Sequence, residues 1–362
     1  MNQANKILKW FVSDSFIVSL AAIVLGLLLG AVVMLVGGYN PIEAYAALVT
    51  RVFGSAYGIG EMLRETAPLL LTGLAVAFAF RAGMFNIGAE GQVLMGMTGA
   101  SIIAITLPGI PTGLHMILAV IFGALFGGVW AGIAGFLKAK RGVNEVITTI
   151  MLNWIALFLS NYIVRTFLLL KGDQRSENIP ASASASIDWL SSAMNNARVH
   201  WGIPVAFLAA VFFYYFLWKT KQGFELRAVG SNADAAHYAG INVGRNIVKA
   251  MFISGVFAGL AGAFEVLGVF HYQAIYSASP GYGFNGIAVA LLGMNHPFGV
   301  MAGAALFGTL SYGSGGMSFE AGVPPEIIQI VIGSIIFFIA AQGIVRFVIK
   351  PFYGKRKKEK VL

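Results

Sequence analysis

The segment Arg81-Ala82-Gly83-Met84-Phe85-Asn86-Ile87-Gly88-Ala89-Glu90-Gly91-Gln92 concentrates the chemistry of this chain. Three glycines, two amides and a carboxylate stand together between two apolar runs. Glycines let a backbone leave helical geometry, which a bilayer tolerates only where protein or a water-filled cavity satisfies the freed groups. Polar side chains at such a break can line a solute pathway. An ordinary turn between two helices fits the same residues, and spacing alone does not separate the two readings. A loose counterpart, Gly281-Tyr282-Gly283-Phe284-Asn285-Gly286, opens an apolar run ending Asn295-His296-Pro297. Both places set a Phe-Asn pair beside glycines at the start of an apolar helix.

Other polar residues carry weaker signals. Ser231 and Asp234 have the spacing of a capping box within Ser231-Asn232-Ala233-Asp234-Ala235-Ala236-His237-Tyr238-Ala239-Gly240. The alanines there favour a helix that Gly240 can end in a left-handed conformation. A short capped helix between basic clusters fits a docking element, and a solvated loop helix fits it too. Glu265 falls inside an apolar run, where a carboxylate is costly unless paired or wet; it lines a pathway or sits near an interface with His271 and Gln273. Asn153 has the choice of bonding a neighbouring helix or a solute.

These residues need a scaffold, and composition identifies it as all-α and membrane-spanning. Of 362 residues, 58% are hydrophobic and 11% charged, against about 25% charged in soluble domains. Phe16 to Val36 is long enough to span, and runs near 66–80, 91–107, 114–137, 145–168, 202–218, 250–270, 282–296, 298–315 and 325–349 bring the expected helices to about ten. The 66–80 and 282–296 runs are short and read as partial or broken helices. A leader peptide is the competing reading of the first run, but its apolar core would be only about 7–15 residues, and Gly37-Gly38-Tyr39 makes a poor cleavage site. Glycines four apart at 123/127, 128/132, 255/259 and 299/303 suit close helix packing.

Charge sets the expected orientation. Lys6, Lys9, Lys138, Lys140, Arg141, the 219–249 segment and the basic tail at 350–362 fall on one side. Arg51, Arg64, Arg165, Lys171, Arg175 and Arg198 fall on the other, and the depth of Arg81 is left open. Both ends should therefore face the cytoplasm. The 171–200 segment reads as a flexible extracellular connection and 219–249 as a cytoplasmic loop within one transmembrane domain, 1–362. The two halves then enter the membrane in opposite senses, as an inverted repeat would. The Lys355–Lys360 stretch reads as an orientation signal and lipid-surface contact, not a nucleic-acid site.

Absent motifs narrow the function. There is no cysteine, no phosphate loop, no H-E-x-x-H and no G-x-S-x-G, which disfavours enzymatic chemistry. An ion-coupled carrier would need membrane-embedded acids, and only Glu265 and Glu90 qualify.

The Arg81–Gln92 run resembles the hallmark of permeases of the branched-chain amino acid, ribose and nucleoside ABC importer family, closest to the nucleoside or simple-sugar branch. Asn144-Glu145-Val146-Ile147-Thr148-Thr149-Ile150-Met151-Leu152-Asn153, Leu226 to Val243 and Gly281 to Gly293 agree, in the expected order. The resemblance implies a second permease subunit, two ATP-binding subunits that use ATP and Mg, and an extracellular solute-binding protein, with no cofactor bound by this chain. It implies Asn86, Glu90, Gln92, Asn153, Phe284 and Asn285 near the pathway. It also implies ATPase coupling through Ser231, Asn232, Asp234, Ala235, Ala236 and Gly240. Nucleosides are the expected solute, with pentoses or hexoses as the alternative.

Overall fold

The computed structural model describes residues 14–348. Lys6, Lys9 and the tail at 350–362, which carried part of the orientation argument, lie outside the described residues. Helices predominate among the described residues, and each of the ten expected runs falls on a helix. Among the described residues, six helices are long and apolar enough to cross a membrane. A seventh span arises if Pro325–Ala340 and Gln342–Val348, bent by 84°, count as one.

The chain divides into two compact units. The first holds residues up to Gly54 and from Leu310 onward. It contains α1 (Asp14–Val36), α2 (Pro41–Phe53), the later part of α13 (Pro297–Ala321) and α14 (Pro325–Ala340). Gly26 and Gly30 of α1 lie against Ile335 and Val331 of α14. The Tyr45 hydroxyl donates to the Leu27 carbonyl at 2.7 Å. Helix α2 is absent from the sequence expectation because Glu43 and Arg51 interrupt its apolar run. Its apolar residues repeat at helical spacing instead, burying Ala44, Ala47, Leu48 and Val52 while Ile42, Val49 and Phe53 stay exposed.

The second unit, Ser55–Thr309, begins with α3 (Ala56–Arg81) and α4 (Ala89–Thr106). Then follow α5 (Leu114–Arg141), α6 (Glu145–Ile163), the short α7 (Asp188–Ala193) and α8 (Gly202–Lys219). Next come α9 (Lys221–Ser231), α10 (Ala233–Tyr238), α11 (Val243–Glu265) and α12 (Tyr282–Leu292), before the start of α13. Helices α6 and α11 each continue through one wider turn, Val164–Leu168 and Val266–Phe270. The 66–80 run, expected to be partial, is the core of the 26-residue α3 and is buried along nearly its whole length. The 282–296 run does form a short helix, of 11 residues.

Small residues explain how α4, α5 and α11 come together. A Cβ on Gly96 would stand 2.3 Å from the Gly259 carbonyl oxygen, and one on Gly127 would stand 2.5 Å from that of Gly255. Three backbones thus touch directly, the arrangement that small residues permit in lipid, where dispersion and not water exclusion drives association. Gly132, by contrast, has only Phe252 within reach, at 3.8 Å.

The 171–200 segment is not the flexible connection its composition suggests. Its alternating Ser/Ala stretch opens with one 3-10 turn, Ala181–Ala183, then runs extended, burying Ala183, Ala185 and Ile187. The amides of Ser176, Ile179 and Ala185 donate to the carbonyls of Gln273, His271 and Leu267 at 2.9, 2.8 and 2.8 Å. Arg198 is fixed on Glu61 of α3, its backbone N–H and Nη2 each 2.8 Å from a carboxylate oxygen. His200 is fully buried, and that burial pushes its pKa down to about 3. Small alanines, which composition reads as bland, are what let this segment lie flat on the bundle.

Gly127→Val should cost roughly 1–3 kcal/mol or more by overpacking and lower the midpoint of heat-induced unfolding in detergent. Gly132→Ala should stay within about 0.5 kcal/mol of wild type.

Candidate functional site

Helix α3 ends in a left-handed turn at Gly83, φ +76°. The Gly83 and Met84 amides donate back to the carbonyls of Phe80 and Ala79 at 3.0 and 2.9 Å, closing the helix end. Arg81 anchors this corner, its Nε and Nη2 donating to the carbonyls of Asn295 and Met294 at 2.8 and 3.0 Å.

From there the chain turns back into the bundle. Asn86 lies beside Ser254, at the middle of α11, and beside Ala75 of α3. The Asn86 amide donates to Ser254 Oγ at 2.8 Å, and Ser254 donates onward to the Ala75 carbonyl at 2.6 Å. Asn86 and Gln92 form a reciprocal amide pair, both bonds 2.9 Å, while Asn86 Oδ1 also accepts the Gly88 amide at 2.9 Å. Helix α4 therefore starts inside the bundle, with its first amides in need of partners. Asn153 of α6 supplies one, accepting the Gly91 amide at 2.8 Å and donating to the Ile87 carbonyl at 3.0 Å.

The second half repeats this plan. After α11, the chain runs back along α4. The Gln273 side chain donates to Thr98 Oγ1 at 3.0 Å and to Ser160 Oγ at 2.7 Å. By Gly281 the chain has reached Glu90, about 12 Å further along α4 at 1.5 Å per residue. There α12 begins. Glu90 accepts the amides of Gly281 and Gly283, one on each carboxylate oxygen, both at 2.6 Å. A Cβ on Gly283 would stand 2.2 Å from the Glu90 nitrogen, so only glycine admits this approach. Glu90 sits in the first turn of α4 and caps the first turn of α12, placing one carboxylate at the positive ends of two helices.

The six pathway candidates thus divide. Asn86, Glu90, Gln92 and Asn153 are at most 5% exposed and hydrogen-bonded to the protein. Phe284, 47% exposed, and Asn285 stand open on the first turn of α12. Sequence reading passed over Ser254, which ties Asn86 to α3, and Tyr282, whose hydroxyl donates to Glu265 at 3.0 Å. Tyr282 lay inside a segment already singled out, but its partner is on another helix.

Against the Arg81–Gly83 corner, α9 and α10 follow one another with a break at Asn232. The expected cap is one residue off: Ser231 closes α9, and Asn232 caps α10 by accepting the Ala235 amide at 2.9 Å. Asn232 is the residue in extended conformation, φ −159°, so its side chain and not that of Ser231 reaches the free amides. Gly240 does end α10 left-handed, φ +79°, with the Gly240 and Ile241 amides on the carbonyls of His237 and Ala236 at 2.9 and 3.0 Å. Ser231, Asn232, Asp234 and Ala235 are exposed and Ala236 is buried. Tyr238, which carried no weight in the sequence, is 91% exposed.

Residues 58–340 match the family model described as branched-chain amino acid transport system / permease component. The chain belongs to that family. Within it, this permease is 48% identical over 343 residues to the guanosine ABC transporter permease protein NupP of Bacillus subtilis, covering 95% of this chain and 97% of that one. It is 42% identical to the nucleoside ABC transporter permease protein NupB of Lactococcus lactis, covering 94% of each. It is 33% identical to the glucose ABC transporter permease protein TsgB13 of Haloferax volcanii, covering 86% of this permease and 84% of that one. No solved structure matches it significantly.

Glu90→Ala should leave the buried Gly283 amide and the half-buried Gly281 amide without this acceptor, at about 1–3 kcal/mol for the buried one. We expect a lower unfolding midpoint and lower membrane abundance, measured by thermal melts and quantitative blotting. Phe284→Ala, on the exposed side of the same turn, should leave both within error of wild type.

Proposed function

We propose that this permease is the transmembrane subunit of an ATP-driven importer that moves nucleosides across the cytoplasmic membrane by alternating access. The observation that carries this reading is the near full-length likeness to two nucleoside permease proteins. On this reading a second permease, identical or a sister chain, completes the pathway. Two ATP-binding subunits supply the energy with ATP and Mg, and an extracellular binding protein delivers the solute. This chain itself binds no cofactor and hydrolyses nothing. Both termini face the cytoplasm, with 171–200 outside and 219–249 inside, as the basic residues favour.

Coupling runs through α10. Its exposed Tyr238 is the kind of aromatic anchor that dominates protein interfaces, and Asn232, Asp234 and Gly240 hold the short helix in shape. Movement there has a direct route inward, because a Cβ on Gly230 of α9 would stand 2.5 Å from the Arg81 carbonyl oxygen. Backbone contact at that distance transmits displacement with little slack, from α9 to the corner where α3 turns into the Asn86 segment. Asn86, Glu90, Gln92 and Asn153 then position the two re-entrant segments, while Phe284 and Asn285 face the solute. The glucose permease relative favours a second reading, a simple-sugar permease of the same mechanism.

Uptake of labelled nucleosides and hexoses should be compared in cells with and without this gene, the partner subunits intact. Loss of nucleoside uptake alone is expected; loss of hexose uptake alone would overturn the solute. Tyr238→Ala and Gly240→Val should each cut nucleoside uptake at least ~10-fold, the scale of an interface anchor worth over 1 kcal/mol, with membrane abundance retained. Normal uptake in both would refute the coupling assignment.

A further inference from the structure

Glu265 is the most heavily buried acid whose bonding is incomplete. It ends α11 with no exposed surface. Its Oε2 accepts from the Tyr282 hydroxyl at 3.0 Å, while its Oε1 has no partner. A buried carboxylate oxygen left in that state is costly, so what it is built to receive is the question.

Its surroundings restrict the answer. The nearby charges are Arg64, Glu65 and Arg198. Arg64 Nε is already on Glu61 at 2.8 Å and its Nη2 is on Glu65, while Arg198 is also held by Glu61. Both cations are hydrogen-bonded to other carboxylates, and they act on Glu265 only through space; among the described residues no group of acids and histidines is placed to hold a metal ion. What suits Oε1 is a neutral hydrogen-bond donor. Tyr282 adds a hydroxyl that both donates and accepts, and Asn285 lies three residues further along α12, on the same side of the helix, exposed. Tyr282 itself is half-buried, between the fully buried Glu265 and the exposed Asn285.

We propose that Glu265, Tyr282 and Asn285 form a subsite for the vicinal hydroxyls of a sugar, Glu265 Oε1 accepting from one hydroxyl as Tyr282 shifts to accept or donate to the next. The inference rests on the nucleoside reading above and deepens it, naming the ribose as the part recognised inside the membrane subunit. It also gives a role to the Glu61–Arg64–Glu65 network, which takes up hydrogen-bond donors of Arg64 and leaves Glu265 Oε1 without a partner of its own.

The test compares uptake of labelled guanosine and 2′,3′-dideoxyguanosine by cells carrying the complete importer, with wild type, Glu265→Gln and Tyr282→Phe. The delivering protein is the same in every strain, so its own preference cancels when strains are compared. The expected result is a wild-type preference for guanosine that falls ~10-fold or more in Glu265→Gln, the scale of a hydrogen bond to a charged group. Tyr282→Phe should move the ratio in the same direction. A ratio equal to wild type in both variants, whether or not total uptake falls, would overturn the subsite and leave the nucleoside reading standing. A wild type that imports neither compound would overturn both.

Discussion

Two helices that begin inside an apolar bundle create a problem that the rest of this fold answers. Each start exposes amides with no partner in their own helix and a positive dipole end, and lipid cannot satisfy either. The Glu90 carboxylate answers both at once. It lies in the first turn of α4 and accepts the Gly281 and Gly283 amides at the start of α12 at 2.6 Å. The geometry leaves little latitude, since Gly283 packs backbone to backbone against Glu90. Asn153 completes the cap on α4, and the Asn86–Gln92 pair holds the segment leading into it. The glycines and amides that distinguish Arg81–Gln92 are thus the cost of starting a helix away from water.

That arrangement has a use. Breaking two helices at one level leaves exposed side chains, Phe284 and Asn285, beside a rigid polar junction instead of beside a continuous apolar helix. The same break gives α9 and α10 a handle on it. Gly230 touches the Arg81–Gly83 corner, and that corner leads within a few residues to Asn86 and Glu90. In the proposed mechanism, a displacement of α9 and α10 would reach the element that caps the start of α12. The pairing of a segment from each half, entered from opposite ends, is the geometry an inverted repeat would produce.

Much of this was legible in the sequence, for identifiable reasons. The apolar runs gave the helices because lipid enforces length and composition together. The residues of the Arg81–Gln92 segment stood out because polar groups among glycines are rare in such runs. Their roles were not legible, because the partners are distant in the chain: Glu90 bonds residues near 281, and Asn86 bonds Ser254. Helix α2 was hidden by its two charges, though its burial follows helical spacing. The 171–200 segment looked flexible because alanine is a weak hydrophobe and its period-2 alternation with serine carries little signal, yet the small size of both is what lets it pack. The cap at Asn232 was missed by one residue because Ser and Asn are equally good caps and the backbone decides between them.

The central claim is that this chain moves its solute only as part of an ATP-driven assembly. Purified permease should be placed in liposomes alone and together with its ATP-binding and solute-binding partners, and labelled guanosine uptake followed in each. The account predicts uptake that requires the full assembly and internal or external ATP on the side of the ATP-binding subunits, and none from the chain alone under an imposed proton or sodium gradient. Gradient-driven uptake by the chain alone would contradict it.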